Sequence, residues 1–281
     1  MRLGSQAETG YSRLNTKMSL NKLSSKSDEI RSFGPLPIPG LFFVGTDTEV
    51  GKTFQAALLA RSLRQRQVRV GVYKPVLSGL ADLSLPSGER GHDDATILGA
   101  AAGLDSALIP MICPQRFSAP LAPPLAAQLE SRLVDERLLY NGALWWSVKC
   151  DFLLVEGAGG LMSPVSSNLT VIDLAAQFGL PVVLVAANRL GCISHTLLAA
   201  EALRCRSINL LAVVLNRLPP QKSGSVETGS LEPQNSLEPR WEKETINGNL
   251  QLLHQWLPGT PLVQSANELV DLIASQYCHV P

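Results

Sequence analysis

The stretch Leu41-Phe42-Phe43-Val44-Gly45-Thr46-Asp47-Thr48-Glu49-Val50-Gly51-Lys52-Thr53 decides how this chain is read. A short apolar run with the character of a buried strand passes into a glycine-containing turn ending Gly-Lys-Thr. An apolar, helix-periodic stretch then begins at Phe54. Strand, turn and helix in that order are the layout of a phosphate-binding loop. Backbone N–H groups at a helix N-terminus carry partial positive charge and cradle phosphate oxygens. Lys52 would neutralise the β and γ oxygens, and the Thr53 hydroxyl would reach Mg²⁺. The spacing between Gly45 and Gly51 is one residue longer than the strict G-x-x-x-x-G-K-[ST] pattern. A chance Gly-Lys-Thr in a surface turn is the alternative for the tripeptide alone. The strand before it and the helix after it favour a nucleotide phosphate, so the expectation is ATP binding.

The 281 residues are long enough to bury a sizeable core, and 45% hydrophobic with 17% charged residues is an ordinary globular composition. Lys+Arg and Asp+Glu number 24 each, so the net charge is zero and no basic stripe points to nucleic acid. The longest apolar run, around Leu180 to Ala187, is too short to span a bilayer. The five cysteines (Cys113, Cys150, Cys192, Cys205 and Cys278) show no C-x-x-C spacing and no histidine in register. That argues against zinc and against a disulfide framework, and fits a reducing cytoplasm.

Residues 1–36 are rich in Ser, Lys, Asn and Gly and are read as a disordered N-terminal extension. They lack the apolar segment of a secretory signal. A transit peptide is the alternative their basic balance leaves open, although Glu8, Asp28 and Glu29 stand against it, and Met18 is an alternative start. Beyond them, strands are expected at 41–45, 69–73, 151–156, 181–187 and 210–215. Helices are expected at 52–66, 92–102, 124–131, 134–148, 170–178, 194–206 and 246–256. Near-continuous apolar strands such as Phe152-Leu153-Leu154-Val155 suit a sheet covered on both faces. The fold class is therefore α/β, a doubly wound, mostly parallel sheet in a single P-loop NTPase-like domain over 37–281. Residues 219–242, nearly free of apolar content, are expected to form a mobile insertion within it.

Four further segments follow strand ends, where ligands bind in such sheets. Lys74 either reaches an anion on the loop or is a solvated lysine before Pro75. Glu156, followed by Gly157-Ala158-Gly159-Gly160, resembles the Walker-B acid that holds Mg²⁺. Asp93 and Asp94 open a helix, and either could be only its cap. The turn Asn188-Arg189-Leu190-Gly191-Cys192-Ile193-Ser194-His195 opens another helix whose N–H groups suit an anion. Asn216 either reads a base edge or caps a turn.

Taken together, these pieces resemble the dethiobiotin synthetases. The resemblance rests on Gly45 to Thr53, Tyr73-Lys74-Pro75-Val76 with Ser78-Gly79, Asp94-Ala95, Val155 to Gly160, and Leu190 to His195, covering roughly residues 41 to 217. It implies that Glu49, Val50, Gly51, Lys52 and Thr53 hold ATP phosphates, with Gly157, Ala158 and Gly159 beside them. Thr53, Asp94 and Glu156 would coordinate Mg²⁺, and Lys74 would be the catalytic cation. Ser78 would contact the substrate. Gly191, Cys192 and Ser194 would grip its carboxylate across a homodimer interface, and Asn216 with Arg217 would face adenine. The implied substrates are 7,8-diaminononanoate, CO₂ and ATP, in a cytoplasmic ligase without nucleic-acid or membrane partners. A cobyrinate-type amidating ligase is disfavoured because no glutamine-hydrolysing domain fits after residue 217. A partitioning-type switch ATPase is disfavoured because Asp47 stands where that group has its signature lysine.

Overall fold

The computed structural model describes residues 34–80, 93–218 and 240–276. The chain divides into two units, Met1–Gly34 and Pro35–Pro281, and the features below belong to the second. The extension expected over 1–36 therefore lies almost wholly outside the described residues. So does the insertion expected over 219–242, except at its end, where a helix has already begun at 240.

In chain order the strands are β1 (Gly40–Gly45), β2 (Val70–Tyr73), β3 (Leu77–Ser78), β4 (Arg116–Phe117), β5 (Phe152–Gly160), β6 (Val182–Ala187), β7 (Leu210–Asn216) and β8 (Leu262–Val263). The helices are α1 (Lys52–Gln65), α2 (Asp94–Ala102), α3 (Ile109–Ile112), α4 (Pro123–Leu129), α5 (Glu136–Trp146), α6 (Val171–Phe178), α7 (Cys192–Cys205), α8 (Arg240–Trp256) and α9 (Ala266–Gln276). The main sheet runs β2-β5-β1-β6-β7-β8, and every neighbouring pair in it is parallel. β3 and β4 form a separate parallel pair.

All six residues of β1 and all six of β6 are buried, which is why those strands read as unbroken apolar runs. Phe42 packs on Phe178 of α6 with ring centres 5.6 Å apart, and Phe178 in turn meets Tyr140 of α5 at 5.9 Å. α1 buries Ala56, Leu59, Ala60 and Leu63 and lies beside α2 and α9. Its apolar face spaces those residues at three and four, as a core-facing helix requires.

From β1 the chain crosses to β2 on one side, and from β5 it crosses to β6 on the other. β1 is thus the strand where the winding reverses, and the crevice beyond its carboxyl end is where such sheets bind ligands. Gly45, Lys74, Asn188 and Asn216 stand at or just past the carboxyl ends of strands in this sheet, and Glu156 lies within β5, level with Phe43 of β1.

Candidate active site

The loop after β1 carries two left-handed residues, Glu49 at φ 54° and Gly51 at φ 91°, before α1 starts at Lys52. Asp47 Oδ1 accepts a hydrogen bond from the Thr48 N–H at 2.7 Å. The Lys52 ammonium donates to the Asp47 carbonyl at 3.0 Å, so the lysine curls back over its own loop. That bond gives the longer loop a use: the residue with the signature-disfavouring side chain supplies a backbone acceptor. Lys52 is only 6% exposed. Burial, first, and the neighbouring Lys74 ammonium bring its pKa down to about 8, against the pull of Glu156 and Asp94.

Glu156 sits on β5 opposite Phe43 of β1, which places its carboxylate beside the loop. Its Oε1 accepts from the Thr53 hydroxyl at 2.8 Å and from the Lys74 ammonium at 2.6 Å. Lys74 also pairs with Asp94 Oδ2. Lys74 is 3% and Glu156 1% exposed, so this is a buried charge cluster and not a surface bridge. Burial alone would lower the Lys74 pKa, but Glu156 and Asp94 more than offset it and raise it, so the lysine stays an ammonium. The same lysine holds Asp94 below the usual carboxylate range, against the effect of burial. Burial pushes the Glu156 carboxyl up, against the pull of Lys74. Glu156 Oε2 is buried and has no partner among the described residues. A buried carboxylate oxygen in that condition is costly unless a ligand satisfies it.

The two aspartates that sequence logic leaves equivalent are separated by the structure. Asp93 caps α2, accepting from the Thr96 N–H at 3.1 Å and its hydroxyl at 3.0 Å, and pairs with Arg116 of β4 at 2.7 Å. Asp94, one residue on, faces Lys74. Gly157 packs closely against α6: a Cβ there would lie 2.7 Å from Val171. Ala158 and Gly159 follow, partly exposed, with Gly159 in the left-handed region at φ 73°. Ser78 stands in β3, half-buried, and backs onto Phe117 of β4.

The Gly191 turn, expected to hold an anion, lies apart from the Lys74 cluster. It follows β6, one strand over from the loop, and joins it through the Arg189–Asp47 pair at 3.8 Å. Gly191 caps α7 at φ 90°, Cys192 is buried, and Ser194 and His195 are exposed. Among the described residues, no hydrogen bond or ion pair joins Gly191, Cys192 or Ser194 to the Lys74 cluster. A cavity of about 600 Å³ lies between Thr46 and Asp47 of the loop, Met162 and Ser163 of the turn after β5, and His195 and Leu198 of α7. His195 thus lines the cavity from the exposed surface of α7. Arg217 is exposed at the end of β7. Asn216 is buried, its amide engaged by Val50 and Gln55. Gln55 was missed. Its signal was a polar residue at a core position of α1.

A parallel, doubly wound sheet with a lysine-bearing loop at its reversal point, facing an acid on the adjacent strand, defines a P-loop nucleotide-binding α/β protein. A family model described as an AAA domain matches residues 39–252. An ATP-dependent dethiobiotin synthetase of Phenylobacterium zucineum is 41% identical over 199 residues, 69% of this chain and 83% of the relative. Another, of Rhodopirellula baltica, is 39% identical over 201 residues, 68% of this chain and 77% of the relative. The chain belongs to the ATP-dependent dethiobiotin synthetases, a family of ligases.

Proposed function

We propose that this chain closes the ureido ring of dethiobiotin from 7,8-diaminononanoate, CO₂ and ATP, a step of biotin synthesis. The observation that carries the reading is the buried Lys74 ammonium, held between Asp94 and Glu156 beside the Thr53 end of the phosphate loop. One amine of the substrate adds to CO₂ and loses a proton, giving a carbamate. A carbamate oxygen attacks the γ-phosphorus and ADP leaves, forming a carbamic–phosphoric anhydride. The second amine then attacks the carbonyl carbon, the ring closes and phosphate departs. Every step gathers negative oxygen atoms in one place, so positioning and charge stabilisation carry the catalysis. Lys52 and the N–H groups of residues 49–53 hold the phosphates, and Lys74 stands between carbamate and γ-phosphate. Asn216 and Arg217 lie at the end of β7, where the base of a nucleotide on the loop would reach.

Thr53, Asp94 and Glu156 fit Mg²⁺. They offer hard oxygen donors, and the unpartnered Glu156 Oε2 is an acceptor that a cation would satisfy. Among the described residues no three His, Cys, Asp or Glu side chains converge on one point. That suits an ion held by one or two carboxylates and by substrate phosphates. When bound, the ion neutralises charge on the phosphate oxygens.

The half-site at Gly191, Cys192 and Ser194 holds the substrate carboxylate of a second copy, Ser78 touches the diamine end, and the enzyme is a homodimer. Met162, Leu190 and Leu198, 55%, 82% and 67% exposed, flank that half-site and support a face that a second copy covers. No helix among the described residues is long and apolar enough to cross a membrane.

The test is ADP release by purified protein with Mg-ATP and bicarbonate, with and without 7,8-diaminononanoate. Diamine-dependent release with a product of dethiobiotin mass is expected. Diamine-independent release would overturn the substrate and leave the nucleotide site. A second expectation concerns pH. The free enzyme's Lys52 loses its proton near pH 8, so at saturating diamine kcat/KM for ATP should fall above that pH by roughly tenfold per unit. A profile that stays flat well beyond pH 8 would remove the Lys52 ammonium from phosphate binding.

A further inference from the structure

Helix α8 reaches the Gly191 turn through two buried side-chain amides. The Asn188 Nδ2 group, just past β6, donates to the Ile246 carbonyl of α8 at 3.1 Å. Asn249 Nδ2, also on α8, donates to Asn188 Oδ1 at 2.9 Å and to the Arg189 carbonyl at 3.3 Å. A backbone carbonyl only accepts, so Ile246 and Arg189 fix which end of each amide faces them. Asn188 is 8% and Asn249 5% exposed, so water competes little for these bonds. Asn249 shares a helix face with the buried Leu253, four residues on, so an amide stands where a leucine would pack.

The Arg189 carbonyl also accepts from the Cys192 N–H at 3.1 Å, the bond that closes the turn into α7. The Asn188 N–H donates to the Asn216 carbonyl of β7 at 2.8 Å. The turn is thus held from β7 through its backbone and from α8 through side chains. An apolar contact would let α8 slide against the turn, whereas hydrogen bonds to a carbonyl are directional. We infer that Asn188 and Asn249 are positioning residues that fix the stretch from Arg189 to Gly191, and with it the start of α7, in the orientation that receives the substrate carboxylate. The inference rests on the reading that this half-site grips that carboxylate. The Arg189 side chain also meets Asp47 of the phosphate loop at 3.8 Å, so an effect on ATP is the competing outcome.

The test is steady-state kinetics of wild type, Asn249→Leu and the Asn188→Leu/Asn249→Leu double variant. The substrates are 7,8-diaminononanoate and 2,3-diaminooctane, the same diamine without its carboxylate. Losing a buried hydrogen bond to the turn predicts about tenfold higher KM for 7,8-diaminononanoate in the single variant, with kcat and KM for ATP within about twofold. KM for 2,3-diaminooctane should not move; where its turnover is too slow, its inhibition constant serves. The single variant strands the Asn188 amide and should melt below wild type. The double variant strands neither amide, so its melting temperature should recover while KM stays raised, because the turn is still unheld. Recovery of both would overturn the inference and leave the pair a packing role. A rise in KM for 2,3-diaminooctane or for ATP equal to that for the substrate would overturn it too. Asn249→Ala repeats the comparison if leucine disturbs α8. Wild type that does not distinguish the two diamines would instead sink the carboxylate half-site itself.

Discussion

Replacing Lys74 with alanine should lower kcat by about a thousandfold while the KM for ATP stays within about threefold. The asymmetry follows from where the two lysines stand. Lys52 is tethered to its own loop through Asp47 and answers to the phosphates. Lys74 comes from the segment after β2 and spans Asp94 and Glu156, and in the proposed mechanism it meets the carbamate. Steady-state kinetics with saturating diamine separates the two quantities, and equal losses in both would remove Lys74 from the chemistry. The change also strips a buried carboxylate of its cation, which costs roughly 3–5 kcal/mol where the pair is deeply buried. Burial already raises Glu156, and without Lys74 its folded-state pKa lies still higher. The folded variant then binds a proton that the unfolded chain has released. Its stability is greatest at low pH and declines as pH rises through that pKa. A melting temperature that falls more with pH than wild type's would register this separately from turnover.

The second large effect is expected from Gly51→Ala. Gly51 has φ 91°, and an added Cβ would meet Asn216 at 2.0 Å. Gly191 offers the control within the same molecule: φ 90°, also at a helix cap, with nothing among the described residues within 4 Å of an added Cβ. Backbone strain alone costs on the order of 1–3 kcal/mol at either position. Gly191→Ala should therefore lower the melting temperature by a few degrees, at about 2–4 °C per kcal/mol for a domain of this size. Gly51→Ala should lower it further and weaken ATP binding by about a hundredfold, because relieving the clash shifts either Asn216 or the loop peptide. Thermal melts of both variants and ATP titration of Gly51→Ala check this. Equal melting temperatures would mean that Asn216 yields freely and the loop is not held from β7.

Much of this was legible in the residue order. The buried strands β1, β5, β6 and β7 announce themselves as apolar runs, and helix starts at Lys52 and Asp94 follow glycine or aspartate caps. The unread elements are short or context-made. β3, β4 and β8 have two residues each, too few to show a period of two, and exist because a neighbouring strand is in register. α9 is long enough to show a helical period in its apolar residues Leu269, Val270 and Ile273, yet it falls outside the expected helices. The choice between Asp93 and Asp94 needed three dimensions, since adjacent residues at a helix start have equal claim to the cap. Arg116 and Lys74, from distant segments, settle it. Gln55 shows the opposite problem. Its polarity on the buried face of α1 was visible, but its partner Asn216 is 161 residues away, and no local pattern joins them.

The placing of β1 at the middle of the sheet also bears on how the protein is made. Its flanking strands are supplied by residues 153–160 and 182–185, so Leu41 to Val44 leave the ribosome long before anything can pair with them. At usual synthesis speeds that delay is on the order of ten seconds. For that interval one of the most apolar segments of the nascent chain is an open strand with two free edges. ATP gives no help then, because the loop has no sheet behind it to bind from. Chaperone capture and aggregation in cells should both centre on this early segment, and a chain stalled before β6 should be protected by neither nucleotide nor fold.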